Sequence, residues 1–122
     1  MPKLMADTIQ IEQALLNLIS NAVDAVSHRR DRARIVHIHI SQRLGQIAVE
    51  ISDDGPGIAE EIQERLFEPF ETTKPNGMGL GLFLSRQIAE AHGGSLSWRR
   101  LEPQGTCFTL EIPIDGPTQQ RA

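Results

Sequence analysis

Apolar residues recur at helical spacing near the start of the chain. Ile11, Leu15, Leu18, Ala22 and Val26 form one stripe, which predicts a long helix ending near Ser27. Its start is placed at Asp7, which can cap the first turn while Gln10 completes a capping box. On that helix Asn17, Asn21 and Asp24 share a second, polar face. The pattern then changes to alternation. Arg34 to Gln42 reads as a strand, Leu44-Gly45 as a turn and Gln46 to Ser52 as a pairing strand. A short helix is expected from Ala59 to Leu66, and Pro69 with the run 71–79 marks an irregular loop. Another helix is predicted from Leu80 to His92, stopped by Gly93-Gly94 as a left-handed cap requires. Ser95 to Arg100 and Thr106 to Ile114 form a last hairpin.

One helix, two strands, two helices and two strands imply an α+β domain. Its sheet should be antiparallel or mixed, with the helices layered on one face. The domain is expected over residues 1–115, with 116–122 as a frayed polar tail. Any strand that precedes the first helix in a longer parent is expected to be cut off or short.

Composition narrows the classes without naming one. The 122 residues are 39% hydrophobic and 23% charged, as in a folded domain with one core. A net charge of −4 argues against nucleic-acid binding, which needs clustered cations. The one basic cluster, Arg29, Arg30, Arg32 and Arg34, is broken by Asp31 and reads as a solvated loop. A lone cysteine, Cys107, fits a buried strand position and a reducing compartment. The N-terminus lacks the charged and apolar segments of a signal peptide, and no apolar run is long enough to span a bilayer. A cytoplasmic domain is expected, and membrane anchoring of a parent chain stays open.

Three stretches can carry chemistry, and each also has an ordinary reading. Asn21 on a helix can offer an amide oxygen to a hard cation such as Mg²⁺, or be a plain surface residue. Asp53-Asp54-Gly55-Pro56-Gly57 follows a strand. There a carboxylate can accept from an exocyclic amine while the glycines admit a flat ligand, though the same residues suit a plain turn. Gly77-Met78-Gly79-Leu80-Gly81 opens into a helix, where free N–H groups favour a phosphate. The spacing is neither a Rossmann fingerprint nor a P-loop, and a hinge is the alternative. Lys74, after Thr72 and Thr73, can reach a terminal phosphate as a mobile charge. His37 and His39 point the same way along a strand but read as surface residues, since no third ligand lies nearby in sequence. His28 and His92 read as helix-end residues.

Taken in order, these stretches resemble the catalytic and ATP-binding domain of two-component sensor histidine kinases. That family lies within the superfamily that includes gyrase, Hsp90 and MutL. The N box is similar to Gln13 through Asn17 and Asn21 to Asp24-Ala25, and the G1 box to Asp53 through Ile58. The F box resembles Leu66-Phe67-Glu68-Pro69-Phe70 with Thr72-Thr73-Lys74, the G2 box Gly77 to Leu82, and the last element Gly105-Thr106. The likeness covers nearly the whole chain and is closest to the nitrogen- and oxygen-sensing kinases. It implies a two-layer α/β sandwich of the Bergerat (GHKL) kind, with ATP between the long helix and a lid. By that likeness Asp53, helped by Thr106, binds the adenine amino group and Gly57 lets the ring approach. Asn21 holds Mg²⁺, Asn17 supports phosphates or a metal-bound water, and Lys74 closes on the γ-phosphate with the glycine loop. Asp24, Ala25, Gly55, Ile58, Thr72, Thr73, Met78, Leu80 and Gly81 complete the implied pocket.

One departure separates branches of the superfamily. Its self-contained ATPases carry a glutamate where Asn17 stands, and an amide cannot act as that general base. Transfer to an external histidine, with slow hydrolysis, is therefore implied. No phosphoacceptor helix is present, so the partners implied are the dimerisation and acceptor helices of a parent kinase and, through it, a response regulator. The isolated domain is expected to be monomeric. A nucleotide-binding regulatory module without transfer, and an ATPase of the Hsp90 or MutL kind, are the competing readings.

Overall fold

The computed structural model describes residues 2–27, 35–69 and 80–113, with side chains from Thr8 onward. The arginine cluster, Thr72, Thr73, Lys74, Gly77, Met78, Gly79 and the expected tail at 116–122 lie outside the described residues. Seven elements follow in order: α1 (Pro2–Val26), β1 (Val36–Arg43), β2 (Gln46–Asp53), α2 (Glu60–Gln63), α3 (Gly81–Ala91), β3 (Ser95–Arg100) and β4 (Thr106–Pro113). The sheet order is β1-β2-β4-β3, and every described pairing is antiparallel. Among the described residues the sheet is therefore the antiparallel form of the expected antiparallel or mixed arrangement. The α+β layering of helices on a sheet holds.

Two helix limits differ from the sequence reading. α1 begins at Pro2, not at Asp7. Proline is tolerated in a first turn, and the Lys-Leu-Met-Ala run after it favours helix, so Asp7 is interior rather than a cap. α2 is a single turn, Glu60–Gln63. After it the chain advances by three-residue bonds, Arg65 N–H to Ile62 O at 3.0 Å and Glu68 N–H to Arg65 O at 3.0 Å. This tighter path turns Leu66 into the core at 7% exposure. It also sets the Phe67 ring edge-on to Phe108, with centroids 6.3 Å apart, while Arg86 from α3 lies over the Phe67 face.

The core lies between α1, α3 and the inner face of the sheet. Ala14, Leu18 and Ala22 from α1 meet Val49 and Ile51 from β2, Phe108 and Leu110 from β4, Leu96 from β3 and Ala89 from α3. The buried line on α1 is Ala14-Leu18-Ala22-Val26, with Ile11 and Leu15 only half-buried. The apolar stripe is therefore rotated slightly from the one read in the sequence, because α3 packs closely at Ala14. α3 ends as expected. His92 caps it, its ring nitrogen Nδ1 2.7 Å from Ile88 O, and Gly93 takes a left-handed φ of 78°. Cys107 is 1% exposed. Burial pushes its thiol up, against the Thr109 hydrogen bond and the Arg99 charge, so it behaves as a core thiol. β1 is exposed over His37–Arg43, including His37 and His39.

Leu18 is fully buried at the centre of this core. Leu18→Ala is expected to destabilise the chain by about 2–5 kcal/mol, the range for a leucine removed from a packed interior. Urea denaturation would measure it, and a loss below about 1 kcal/mol would remove Leu18 from that central place.

Candidate functional site

Two separate segments meet one face of α1. At its C-terminal end, the turn after β2 packs so closely that a Cβ on Gly55 would come 2.6 Å from Ala25 O. Only a glycine allows that approach. Two helical turns earlier, Asn17 faces the first turn of α3: its Nδ2 lies 3.5 Å from Gly81 O and 3.3 Å from Ser85 Oγ. Asn21 stands midway, four residues from each anchor, or about 6 Å along the axis either way. It is half-buried. The i, i+4, i+8 spacing keeps Asn17, Asn21 and Ala25 on one side of the helix.

Asp53 ends β2, in register with Val36 on one side and Thr106 on the other. It is 6% exposed and Thr106 4%. The Gly55 N–H donates to Asp53 Oδ1 at 2.8 Å, a side-chain turn that fixes the carboxylate above the strand end. Burial pushes the Asp53 carboxyl above its ordinary value. The Gly55 N–H pulls it down, the Asp54 charge adds to the rise, and a backbone hydrogen bond from Thr106 pulls it down again. A buried aspartate whose pKa is raised at a strand end is a candidate for a functional role.

The remaining candidates take distinct places. Ile58 is half-buried and packs against the core, and Gln63 Nε2 donates to its carbonyl at 2.9 Å. Gly57 is exposed at a φ of 89°. Asp24 is exposed, and its carbonyl accepts from Ser27 Oγ at 2.8 Å. Leu80 stands at the N-cap of α3 and Gly81 is the first helical residue. The described residues thus bring Asn17, Asn21, Ala25, Asp53, Gly55, Gly81 and Thr106 to one region. Sequence reasoning missed Ser85, fully buried between α1 and α3, and Gln104, whose Nε2 donates to Asp54 O at 2.9 Å. Ser85 lies one turn after Gly81, a spacing that marks the same helix face. What that face meets is decided 68 residues away.

Residues 6–116 match the family model of histidine kinase-, DNA gyrase B- and HSP90-like ATPases, and the chain belongs to that family. Within it the chain is an ATP-binding catalytic domain of the sensor histidine kinase type. It is similar to the signal transduction histidine-protein kinase AtoS of Escherichia coli K12, 43% identical over 110 residues, 90% of this chain and 18% of that protein. It is also similar to the sensory histidine kinase/phosphatase NtrB of Vibrio alginolyticus, 39% identical over 93% of this chain and 35% of that protein. The chain therefore spans only a minor part of these relatives' length. Among solved structures, the catalytic domain of histidine kinase ThkA superposes with a TM-score of 0.74 at 36% identity, over 87% of this chain and 67% of that one. Full-length ShkA in complex with AMPPNP gives 0.70 at 31% identity, over 85% and 21%.

A raised carboxyl pKa has a definite sign in stability. An unfolded aspartate titrates near about 3.9, and the folded Asp53 holds its proton to higher pH. The stability it contributes is therefore present below the unfolded pKa and lost as pH rises through the folded one. In the nucleotide-free chain, Asp53→Asn is expected to gain stability over the parent progressively as pH rises through the acid range. Paired urea titrations from pH 4 to 7 would check this; a difference that stays flat or shrinks contradicts the burial penalty on Asp53.

Proposed function

We propose that the chain binds Mg-ATP between α1 and the glycine loop that leads into α3, and donates the γ-phosphoryl group to a histidine on a separate helical domain of its parent kinase. The observation that carries this reading is the single face of α1. It holds the Asp53 turn at Ala25 and the start of α3 at Asn17, with Asn21 between them. A nucleotide laid along that face meets a carboxylate at one end and a helix N-terminus at the other. The AMPPNP complex of ShkA supports a nucleotide role for the same fold.

The residues fit the groups they would hold. Asp53 accepts from the adenine amino group, with Thr106 beside it, and the Gly55–Gly57 backbone admits the ring. Asn21 supplies a neutral oxygen suited to Mg²⁺, which would draw charge from the phosphates. Lys74, Thr72, Thr73, Gly77, Met78 and Gly79 are assigned to the γ-phosphate side on their sequence positions alone. In the transfer the bond from the γ-phosphorus to the bridging oxygen breaks and one from phosphorus to the acceptor imidazole nitrogen forms. ADP leaves, and the imidazole yields its proton to solvent. The domain contributes positioning and charge stabilisation. Asn17, an amide tied to α3, takes no proton from water, which disfavours fast hydrolysis. The partners proposed are the acceptor helices of the parent and, through them, a response regulator. No described helix is long and apolar enough to cross a membrane, and a cytoplasmic site is proposed for the domain.

Incubation with γ-labelled ATP, Mg²⁺ and the dimerisation domain of a relative such as NtrB is expected to give acid-labile, base-stable phosphohistidine. Failure with an acceptor that its own catalytic domain labels would sink the transfer reading, and rapid steady hydrolysis by the chain alone would favour a self-contained ATPase. Asp53→Asn is expected to weaken ATP binding by about 1–3 kcal/mol, measured by calorimetry; an unchanged affinity removes Asp53 from the adenine role. Asn21→Ala should abolish the Mg²⁺ dependence of binding, and an undiminished dependence places the metal elsewhere.

A further inference from the structure

Ser85 is a polar residue at 0% exposure in the seam between α1 and α3, and neither the nucleotide nor the core accounts for it. Its hydroxyl lies 3.3 Å from Ala14 O and 3.3 Å from Asn17 Nδ2. A backbone carbonyl can only accept, so the Ser85 proton goes to Ala14 O. The oxygen lone pairs are then turned toward α1, where they accept from the Asn17 amide. Gly81 O, 3.5 Å from the same Nδ2, is likewise an acceptor only. Two acceptors around one nitrogen settle which way round the amide stands: the NH₂ faces α3 and the carbonyl oxygen is left for other partners. The distances lie just beyond the usual hydrogen-bonding ranges, so the arrangement works through direction more than through strength.

We infer that Ser85 is a positioning residue for the nucleotide site, holding the Asn17 amide so that it presents an oxygen rather than an NH₂ group. Resting on the Mg-ATP reading above, this assigns Asn17 to the hydration shell of the metal and not to the phosphates. An amide oxygen attracts a cation or its bound water and repels a phosphate oxygen; an NH₂ group does the reverse. Ser85 touches none of these groups and acts through Asn17. The same bonds tie the first turn of α3, and with it the exit of the glycine loop, to the helix that carries Asn21.

The test combines calorimetry and a spectroscopic signature on the 122-residue chain. Ser85→Ala, Asn17→Ala and the double variant are titrated with ATP, once with Mg²⁺ and once with EDTA. Ser85→Ala is expected to weaken Mg-ATP binding roughly fivefold to tenfold and to leave metal-free ATP binding unchanged. In the Asn17→Ala background it should have no further effect, since contacting residues that act as one unit are not additive. Equal weakening with and without Mg²⁺, or an undiminished effect in the Asn17→Ala background, would show Ser85 to be a packing residue alone and overturn the inference. In the ¹⁵N spectrum of the nucleotide-free parent, the Asn17 side-chain amide should be protected from solvent exchange. Free exchange there overturns the proposal whatever the variants do, including variants that fail to fold. A parent chain that binds no ATP fails the Mg-ATP reading itself, whereas a parent that binds Mg-ATP with an indifferent Ser85→Ala fails only the positioning role.

Discussion

The arrangement depends on one helix being bound on two sides at once. Ala14, Leu18 and Ala22 bury one stripe of α1 against the sheet and α3, and that burial sets the helix's rotation about its own axis. Once the rotation is set, Asn17, Asn21 and Ala25 can face only one way. Apolar burial at about 25 cal/mol per Å² is the force, but its consequence here is orientation. The small residues matter as much as the large ones. A larger side chain at Ala14 would hold α3 away from α1 and separate Asn17 from Gly81 and Ser85.

A sandwich with helices on one face of an antiparallel sheet leaves its strand ends and helix ends together at one rim. The Asp53 turn uses this. Its carboxylate is kept at the end of β2 by Thr106 from the neighbouring strand and by the Gly55 N–H, and burial raises its pKa. The fold thus accepts a net burial penalty on the Asp53 charge. A ligand with a hydrogen-bond donor aimed at that carboxylate would relieve it. At the other end of the same helix face, Gly81 begins α3 with its N–H groups directed outward, the polarity a phosphate requires.

Relatives of the chain are several times longer than it is, and in the proposed function the acceptor histidine lies on a separate part of such a protein. This is consistent with the absence of a general base at Asn17. An amide held against α3 cannot take a proton, and the proposed phosphoryl transfer accordingly uses a nucleophile supplied from outside.

The sequence by itself determined the element order, both hairpins and the end of α3 at Gly93, because these rest on local signals. Alternation, helical spacing, the Asp-Gly-Pro-Gly turn and the helix-stopping glycines each act over a few residues. It misplaced the start of α1, where the Lys-Leu-Met-Ala run after Pro2 continues the helix past a plausible cap at Asp7, and it lengthened α2, whose second half is tightened to bury Leu66. Only the tertiary structure decided what Asn17 contacts. The residue was legible as a polar neighbour of Asn21, but which atom of its amide faces α3 is fixed by Gly81 and Ser85, 64 and 68 residues away. A hydrogen bond between distant segments leaves no periodicity in the chain. It exists only once the burial of Ala14 and Leu18 has brought the two helices together.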